Sequence, residues 1–312
     1  MTIMALAPLS TGTSTAPRPE PHAPRLVLHL QGRAGNQLFQ YAAGRLAALR
    51  LGANLLYYQD PKDKLACPNI LPFFMCAARA ASPRDLNHCL WPASKARGHK
   101  FRLCCRFLPR YADRFSVETL PDTAPSLRPQ RPHHLSGFFQ NRYAAEALGA
   151  TLRQDLRLTG DMAPQRRHLL RSIRSGPCAA VHIRRGDYLL TEHQARFGTC
   201  SPEYYREAMD LLRSRHGVNT FFVFTDDPEW AQRHFAGNRH VQIVPPLGDG
   251  RDHEDILLMA ACTHAITANS SFSWWGAFLN RSSRKIVIAP RVWFLDGTLD
   301  EEALLPPNWL RL

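Results

Sequence analysis

The sequence predicts an α/β protein of two doubly wound, Rossmann-like domains, and three observations predict it. Near the N-terminus, an apolar run, a two-glycine turn, a stretch of helical periodicity and a second apolar run follow one another. That order opens a doubly wound unit. Through the second half, short apolar runs alternate with helical stretches, and the runs end in polar clusters. Finally, 312 residues exceed what one core usually holds and suit two domains of ordinary size.

Arg25 to Leu30 reads as the first strand and runs into Gln31–Gln37, a turn holding Gly32 and Gly35. Leu38 to Leu51 carries apolar residues at helical spacing (Leu38, Tyr41, Ala42, Leu46, Leu49), with Gly52 as a natural stop. Ala53 to Tyr58 is the second strand. From Pro61 to Pro132 the chain is rich in Pro, Arg and Cys without clean periodicity, and no element is assigned there. Leu135–Gln140 reads as a strand, Arg142–Leu156 as a helix, and Gln165–Ile173 as another helix. Cys178-Ala179-Ala180-Val181 is a run apolar enough for a buried strand. Ser201-Pro202-Glu203 opens a helix with proline at its first position, continuing over Tyr204–Arg215. Phe221–Phe224 is a core strand, Asp227-Pro228-Glu229 begins the next helix, and Val241–Val244 is a short strand. Asp252–Cys262 is a helix whose acidic first turn suits the helix dipole. His264–Ala268, Trp274–Leu279 and Lys285–Ala289 follow as strand, helix and a strand closing the sheet. The expected division is a disordered tail over 1–24, rich in Ser, Thr, Pro and Ala, then domains over 25–170 and 171–312.

The composition, 45% apolar and 21% charged, is that of a soluble globular chain. It offers no apolar window of the roughly eighteen residues a transmembrane helix needs. Met1–Arg25 lacks the early basic region and long apolar stretch of a secretory signal. The formal charge of +13, from 39 basic and 26 acidic residues, implies an anionic partner. Nucleic acid is disfavoured, because the basic residues are scattered and show neither zinc-finger spacing nor an RNA-recognition signature. Sugar-nucleotide phosphates, or an anionic bilayer presenting a lipid-linked acceptor, account for the charge equally well. The eight cysteines show no C-x-x-C pattern, and without an export signal they suggest a reduced, cytoplasmic setting with no zinc site.

The most informative stretch is His182-Ile183-Arg184-Arg185-Gly186-Asp187-Tyr188. The apolar run before it puts two arginines and a carboxylate at a strand's C-terminal end, the edge where open α/β sheets bind ligands. Paired guanidiniums there suit a diphosphate. Thr225–Asp227 and Asn269–Ser273 end their strands in the same way, so in a parallel sheet the three clusters face one crevice. Serine hydroxyls and the N–H groups opening the Trp274 helix offer neutral donors to phosphate oxygens. An aspartate after a strand accepts hydrogen bonds from a guanine edge or a ribose. No metal-ligand spacing is present, which leaves to cationic side chains the work Mg²⁺ does elsewhere. Each cluster also has a plainer structural reading. Arg184 would salt-bridge Asp187, one of Asp226 and Asp227 would cap the following helix, Asn269 would hold a turn, and Trp274 and Trp275 would pack beneath the loop.

The His182–Tyr188 stretch resembles the H-x-R-R-x-D motif of GDP-fucose-using fucosyltransferases. Three further segments are similar to the α-1,2-fucosyltransferase family (glycosyltransferase family 11), bacterial type. These are Gly35-Asn36-Gln37-Leu38-Phe39-Gln40-Tyr41-Ala42, Phe224-Thr225-Asp226-Asp227, and Ala268-Asn269-Ser270-Ser271-Phe272-Ser273-Trp274-Trp275-Gly276-Ala277, in the family's order between Leu26 and Pro290. The resemblance implies a GT-B-like fold, in which two Rossmann-like doubly wound domains face a cleft, the first on the acceptor side and the second holding GDP-fucose. It implies an inverting, metal-independent transfer of fucose to the 2-hydroxyl of a terminal galactose, with no cofactor besides the donor substrate. Arg184 would hold the β-phosphate, Asp226 or Asp227 would read guanine or ribose, and Ser270 and Ser271 would line the phosphates. Asn36, on the Gly32–Gln37 loop, would sit near phosphate or acceptor, and His182 and Asn269 stand beside them as donor-site candidates.

Two segments depart from the family pattern. Gly32-Arg33-Ala34 stands where two glycines and a leucine are common, and Phe197-Gly198-Thr199 where a His-Gly pair is common. Both bear on the acceptor side. The acceptor hydroxyl needs a base, for which Asp187, Glu192 and His193 are candidates, Asp187 being equally suited to orient an arginine. The resemblance implies a galactose-terminated glycan as acceptor, free or lipid-linked, and the expected setting is cytoplasmic, peripheral to the inner membrane where the acceptor is lipid-linked. The competing readings are a transferase of another sugar or linkage, and a basic nucleic-acid- or membrane-binding protein on a reused fold.

Overall fold

The computed structural model of the protein describes residues 23–60, 67–90, 115–117, 133–248, 250–297 and 300–312. Nearly all of the expected tail and most of the Pro61–Pro132 segment lie outside them. The first half contains β1 (Arg25–His29), α1 (Ala34–Leu51), β2 (Asn54–Tyr58), β3 (Arg79–Ala80), α2 (Pro83–Leu90), β4 (Phe115–Val117) and β5 (His133–Ser136). Its five strands form one parallel sheet in the order β3-β2-β1-β5-β4. β1 is central because Leu26, Val27 and Leu28 are apolar on both faces, and all three are 0% exposed. From β1 the chain steps outward to β2 and β3, whereas β5 lies on the other side. The strand order therefore reverses between β1 and β5.

Three helices, α3 (Tyr143–Ala147), α4 (Gly149–Asp155) and α5 (Pro164–Arg174), lead into the second half. There β6 (Ala179–Ile183), α6 (Thr191–Phe197), α7 (Pro202–His216), β7 (Phe221–Thr225), α8 (Pro228–Phe235), β8 (Val241–Ile243) and α9 (Asp252–Ala261) follow in turn. β9 (His264–Ile266), α10 (Ser271–Leu279), β10 (Val287–Ala289), α11 (Glu301–Leu304) and β11 (Leu310–Arg311) complete the chain. The six strands form a second parallel sheet in the order β11-β10-β9-β6-β7-β8. Its order reverses between β6 and β9. Ligands of open α/β sheets settle at such reversals, beyond the C-terminal ends of the strands.

Besides shifted strand ends, the largest at β5 (His133–Ser136 against the expected Leu135–Gln140), three elements differ from the sequence reading. α1 begins at Ala34, not Leu38, because Gly35, Asn36 and Gln37, expected in the turn, form its first turn. The stretch expected as one helix over Arg142–Leu156 is divided at Leu148, and Gly149, a poor helix former, opens the second piece. β10 does not close the sheet: β11 pairs outside it, Ile288 opposite Leu310. The helix α5 crosses the expected boundary at residue 170 and packs on α9 of the second half through Arg166 and Asp255.

One apolar core joins the halves. α1 is buried nearly all round, from Leu38 and Tyr41 to Ala48, because its own sheet covers one side and α10 the other. Phe39 sets its ring 4.6 Å from Trp274 and 5.1 Å from Trp275. Both tryptophans are 0% exposed, and the Trp274 indole donates to the Leu304 carbonyl. They pack; neither lines the cleft.

Candidate active site

The two order reversals face each other across a cleft of about 1110 Å³. From the first sheet come the loop after β1, Gly32 to Asn36, and the loop after β5, Phe138 to Asn141. From the second come the ends of β6 and β7 and the start of α10.

Arg184 follows β6 directly and projects into the cleft. Its Nη2 donates to Asp187 Oδ1 at 2.5 Å, its Nη1 pairs with Asp226 Oδ2 at 2.8 Å, and the guanidinium lies over the Tyr188 ring. Two carboxylates thus fix one guanidinium against the wall, leaving it 13% exposed. Arg185 goes elsewhere. Its Nε donates to Asp227 Oδ2 at 3.1 Å, and its guanidinium covers the Trp230 ring at 4.5 Å. Of the two arginines expected on one ligand, only Arg184 lines the cleft, and its neighbour is committed to the fold. Gly186 is required by a close approach: a Cβ there would stand 2.7 Å from Asp226 Oδ2.

The two aspartates part in the same way. Asp226 lines the cleft, with Oδ2 on Arg184 and Oδ1 accepting the Arg185 backbone N–H. Asp227 caps α8 by accepting the Trp230 N–H and holds Arg185 with its other oxygen. It does not line the cleft, and this corrects the expectation that it contacts a ligand.

Asn269 is buried beside the cleft, and its amide donates to the carbonyls of Phe197 and Trp293. Its side chain thus ties loops together, as the turn reading expected, and offers no N–H to a ligand. Ser270 caps α10 through the Phe272 N–H. Ser271 Oγ donates to Asn36 Oδ1 at 3.0 Å, and the same oxygen accepts from Gln140 Nε2 at 2.6 Å. One asparagine of the first domain therefore sits at the N-terminal end of a second-domain helix. Gly35 permits this: a Cβ there would lie 2.5 Å from the Ser271 backbone.

His182 is buried at the end of β6 with its ring against Phe272. Burial, reinforced by the Arg184 charge, pulls its imidazole down to about 3, so it is neutral near pH 7. Its Nδ1 has no hydrogen-bond partner among the described residues. Glu192 and His193 belong to α6, just beyond Asp187 in the chain, but their side chains lie outside what the structure describes.

Several cleft residues escaped the sequence reading. Asp255 lines the cleft and is held by buried Arg166, Nε to Oδ1 at 2.7 Å and Nη2 to Oδ2 at 3.1 Å. Burial pushes its carboxyl up, to about 7, against the pull of Arg166. In the sequence it looked like one more acid in a helix's first turn. Arg33 reaches across from the first domain, its Nη2 3.6 Å from Asp187 Oδ2, and its signal was the departure from the family pattern at that position. Gln140 showed no sequence signal. Among the described residues no three His, Cys, Asp or Glu side chains converge as a metal site, and no helix is long and apolar enough to cross a membrane.

Comparison with known proteins follows the same lines. Residues 118–312 match the model of "Glycosyl transferase family 11". The O-antigen biosynthesis glycosyltransferase WbnK of Escherichia coli is 36% identical over 134 residues, a match spanning 43% of this chain and 44% of WbnK. An alpha-1,2-colitosyltransferase of Escherichia coli is 29% identical over 309 residues, covering 92% of this chain and 98% of its own. Galactoside alpha-(1,2)-fucosyltransferase 1 of Alouatta belzebul is 28% identical, covering 87% and 70% respectively. Among solved structures, the NodZ alpha-1,6-fucosyltransferase soaked with GDP-fucose superposes with a TM-score of 0.53 at 17% identity, over 82% of this chain and 92% of NodZ. At that identity the likeness speaks for the GT-B-like fold. The family match takes in the whole second sheet, with Arg184, Asp226 and the Asn269–Ser271 turn on its cleft edge, and on that match the chain belongs to glycosyl transferase family 11.

Proposed function

We propose that the protein transfers fucose from GDP-fucose to the 2-hydroxyl of a terminal galactose, with inversion and without a metal. One observation carries the reading: Arg184, fixed by Asp187 and Asp226, stands at the order reversal where the N-terminus of α10 also opens into the cleft. A guanidinium and helical N–H groups on one ligand suit a diphosphate leaving group. As the fucosyl–oxygen bond breaks, its electron pair passes to the β-phosphate, and Arg184 offsets the charge that develops there. Asp226 then acts by aiming Arg184. Asp255 lines the same cleft with both oxygens on Arg166, and an aspartate of this wall reads guanine or ribose. Asp187 or Glu192 takes the acceptor's proton. The acceptor is a galactose-terminated glycan, free or lipid-linked, and the chain's +13 charge favours work beside an anionic bilayer when it is lipid-linked.

The colitosyltransferase relative, aligned over 92% of this chain, favours one second reading, a GDP-linked 3-deoxy counterpart of fucose as donor. The test is GDP release from each sugar nucleotide in EDTA, with and without lactose. Lactose-stimulated release from GDP-fucose is the expected result. Release only from the 3-deoxy donor selects the second reading, and no release from either rejects both.

A further inference from the structure

We infer that Arg33, carried by the first domain, is a ligand of the donor's β-phosphate and exchanges Asp187 for that phosphate when the donor binds. The inference rests on the sugar-nucleotide reading above and extends it to the opposite wall of the cleft.

Backbone geometry delivers the side chain. Gly32 is left-handed (φ 70°), turning the chain after β1 so that Arg33 stands at the N-cap of α1. The Arg33 carbonyl accepts the N–H groups of Asn36 and Gln37 at 2.9 and 3.1 Å, which anchors the main chain and leaves the side chain to the cleft. Gly35, two residues on, lies so close to the Ser271 backbone and the Phe272 nitrogen that the loop rests on the N-terminal end of α10. A phosphate held between Arg184 and that helix end is therefore within the loop's reach.

Charge supplies the reason to move. Arg184 shares its charge with two carboxylates at 2.5 and 2.8 Å, so a diphosphate held there calls for a second cation. Arg196, also on the cleft, pairs with Asp296 at 3.4 Å. Arg33 is 61% exposed and holds Asp187 at 3.6 Å, the longest of these contacts. Ion pairs this long and this exposed hold weakly, so a diphosphate outcompetes the carboxylate. The exchange leaves Asp187 Oδ2 open toward the acceptor side once the donor is seated.

The test compares GDP with GMP, which lacks the β-phosphate, by calorimetry on the full chain and on Arg33→Ala and Arg33→Lys. Arg33→Ala is expected to weaken GDP about tenfold while GMP stays within about twofold, the loss typical of one charged hydrogen bond. Arg33→Lys is expected to recover part of it. An unchanged GDP-to-GMP ratio in Arg33→Ala, including equal weakening of both or a raised acceptor KM alone, overturns the inference and leaves the donor reading standing. A wild-type chain that binds GDP no better than GMP overturns the donor reading and the inference with it.

Discussion

Arg184 and Arg185 are neighbours in the chain and have opposite fates in the fold, and strand alternation explains why. Along β6, Ile183 faces the apolar layer that contains Trp230, and Arg185 continues on that side. His182 and Arg184 take the other parity, toward the cleft. Arg184→Ala is therefore expected to lower kcat/KM by about a hundredfold or more, the cost of removing a transition-state charge partner. Arg185→Ala should instead lose about 1–2 kcal/mol of stability in urea, with activity per folded molecule falling less than about tenfold. The reverse pattern would remove Arg184 from the phosphate. His182 makes a second prediction. Its pKa falls from 6.5 free to about 3 folded, so between those values the unfolded chain binds more protons than the native one. Stability contributed by the neutral ring is complete above pH 6.5 and lost as pH falls toward 3. Linkage gives about 2 kcal/mol lost between pH 7 and 5. Denaturation of His182→Asn at both values should show that drop reduced by about this amount; an unchanged drop would show that the buried imidazole does not set it.

Elements were legible where one physical signal dominated. Parallel strands covered on both faces must be apolar throughout, so β1, β6 and β7 stood out as runs, and Gly52 marked the end of α1. β3 and β11 hold two residues each and carry no such run. The first turn of α1 is Gly and polar residues, invisible to periodicity; they are helical because Gln37 is held by the carbonyls of Gly32 and Pro68. The three clusters on the second sheet's edge were readable from their strand ends. Contacts from the other domain, Arg33 on Asp187 and Gln140 on Asn36, depend on docking that no local pattern encodes. Two glycines at the ends of α1 separate these levels. Gly52→Ala meets no neighbour but must keep φ 58°, so it should cost about 1 kcal/mol of stability and leave turnover unchanged. Gly35→Ala drives a methyl into the Ser271 backbone, so it should lower turnover as well as Tm. Equal behaviour of the two variants would mean that α1 does not hold the cleft's shape.

At the scale of the whole molecule, the two sheets share one core through α1 and α10, and this decides how the chain unfolds. Phe39 is 1% exposed and inserts between domains, touching Trp274, which in turn stacks on Phe278 and meets Trp309. With apolar packing continuous across the seam, neither sheet can lose its structure without exposing the other's surface. The wild-type chain should therefore unfold in one transition, with tryptophan fluorescence and far-ultraviolet dichroism coincident. Phe39→Ala removes a ring from the seam, at a cost of about 3–5 kcal/mol for a buried Phe. Because the loss falls between the sheets, the two signals should separate, fluorescence moving first since Trp274 and Trp275 lie at the seam. The same variant should lose turnover, because α10 presents Ser270 and Ser271 to the cleft from one end and rests on Phe39 along its length. Coincident transitions with a shift below about 1 kcal/mol would mean that Phe39 does not couple the two sheets, and that the cleft is shaped by its loops alone.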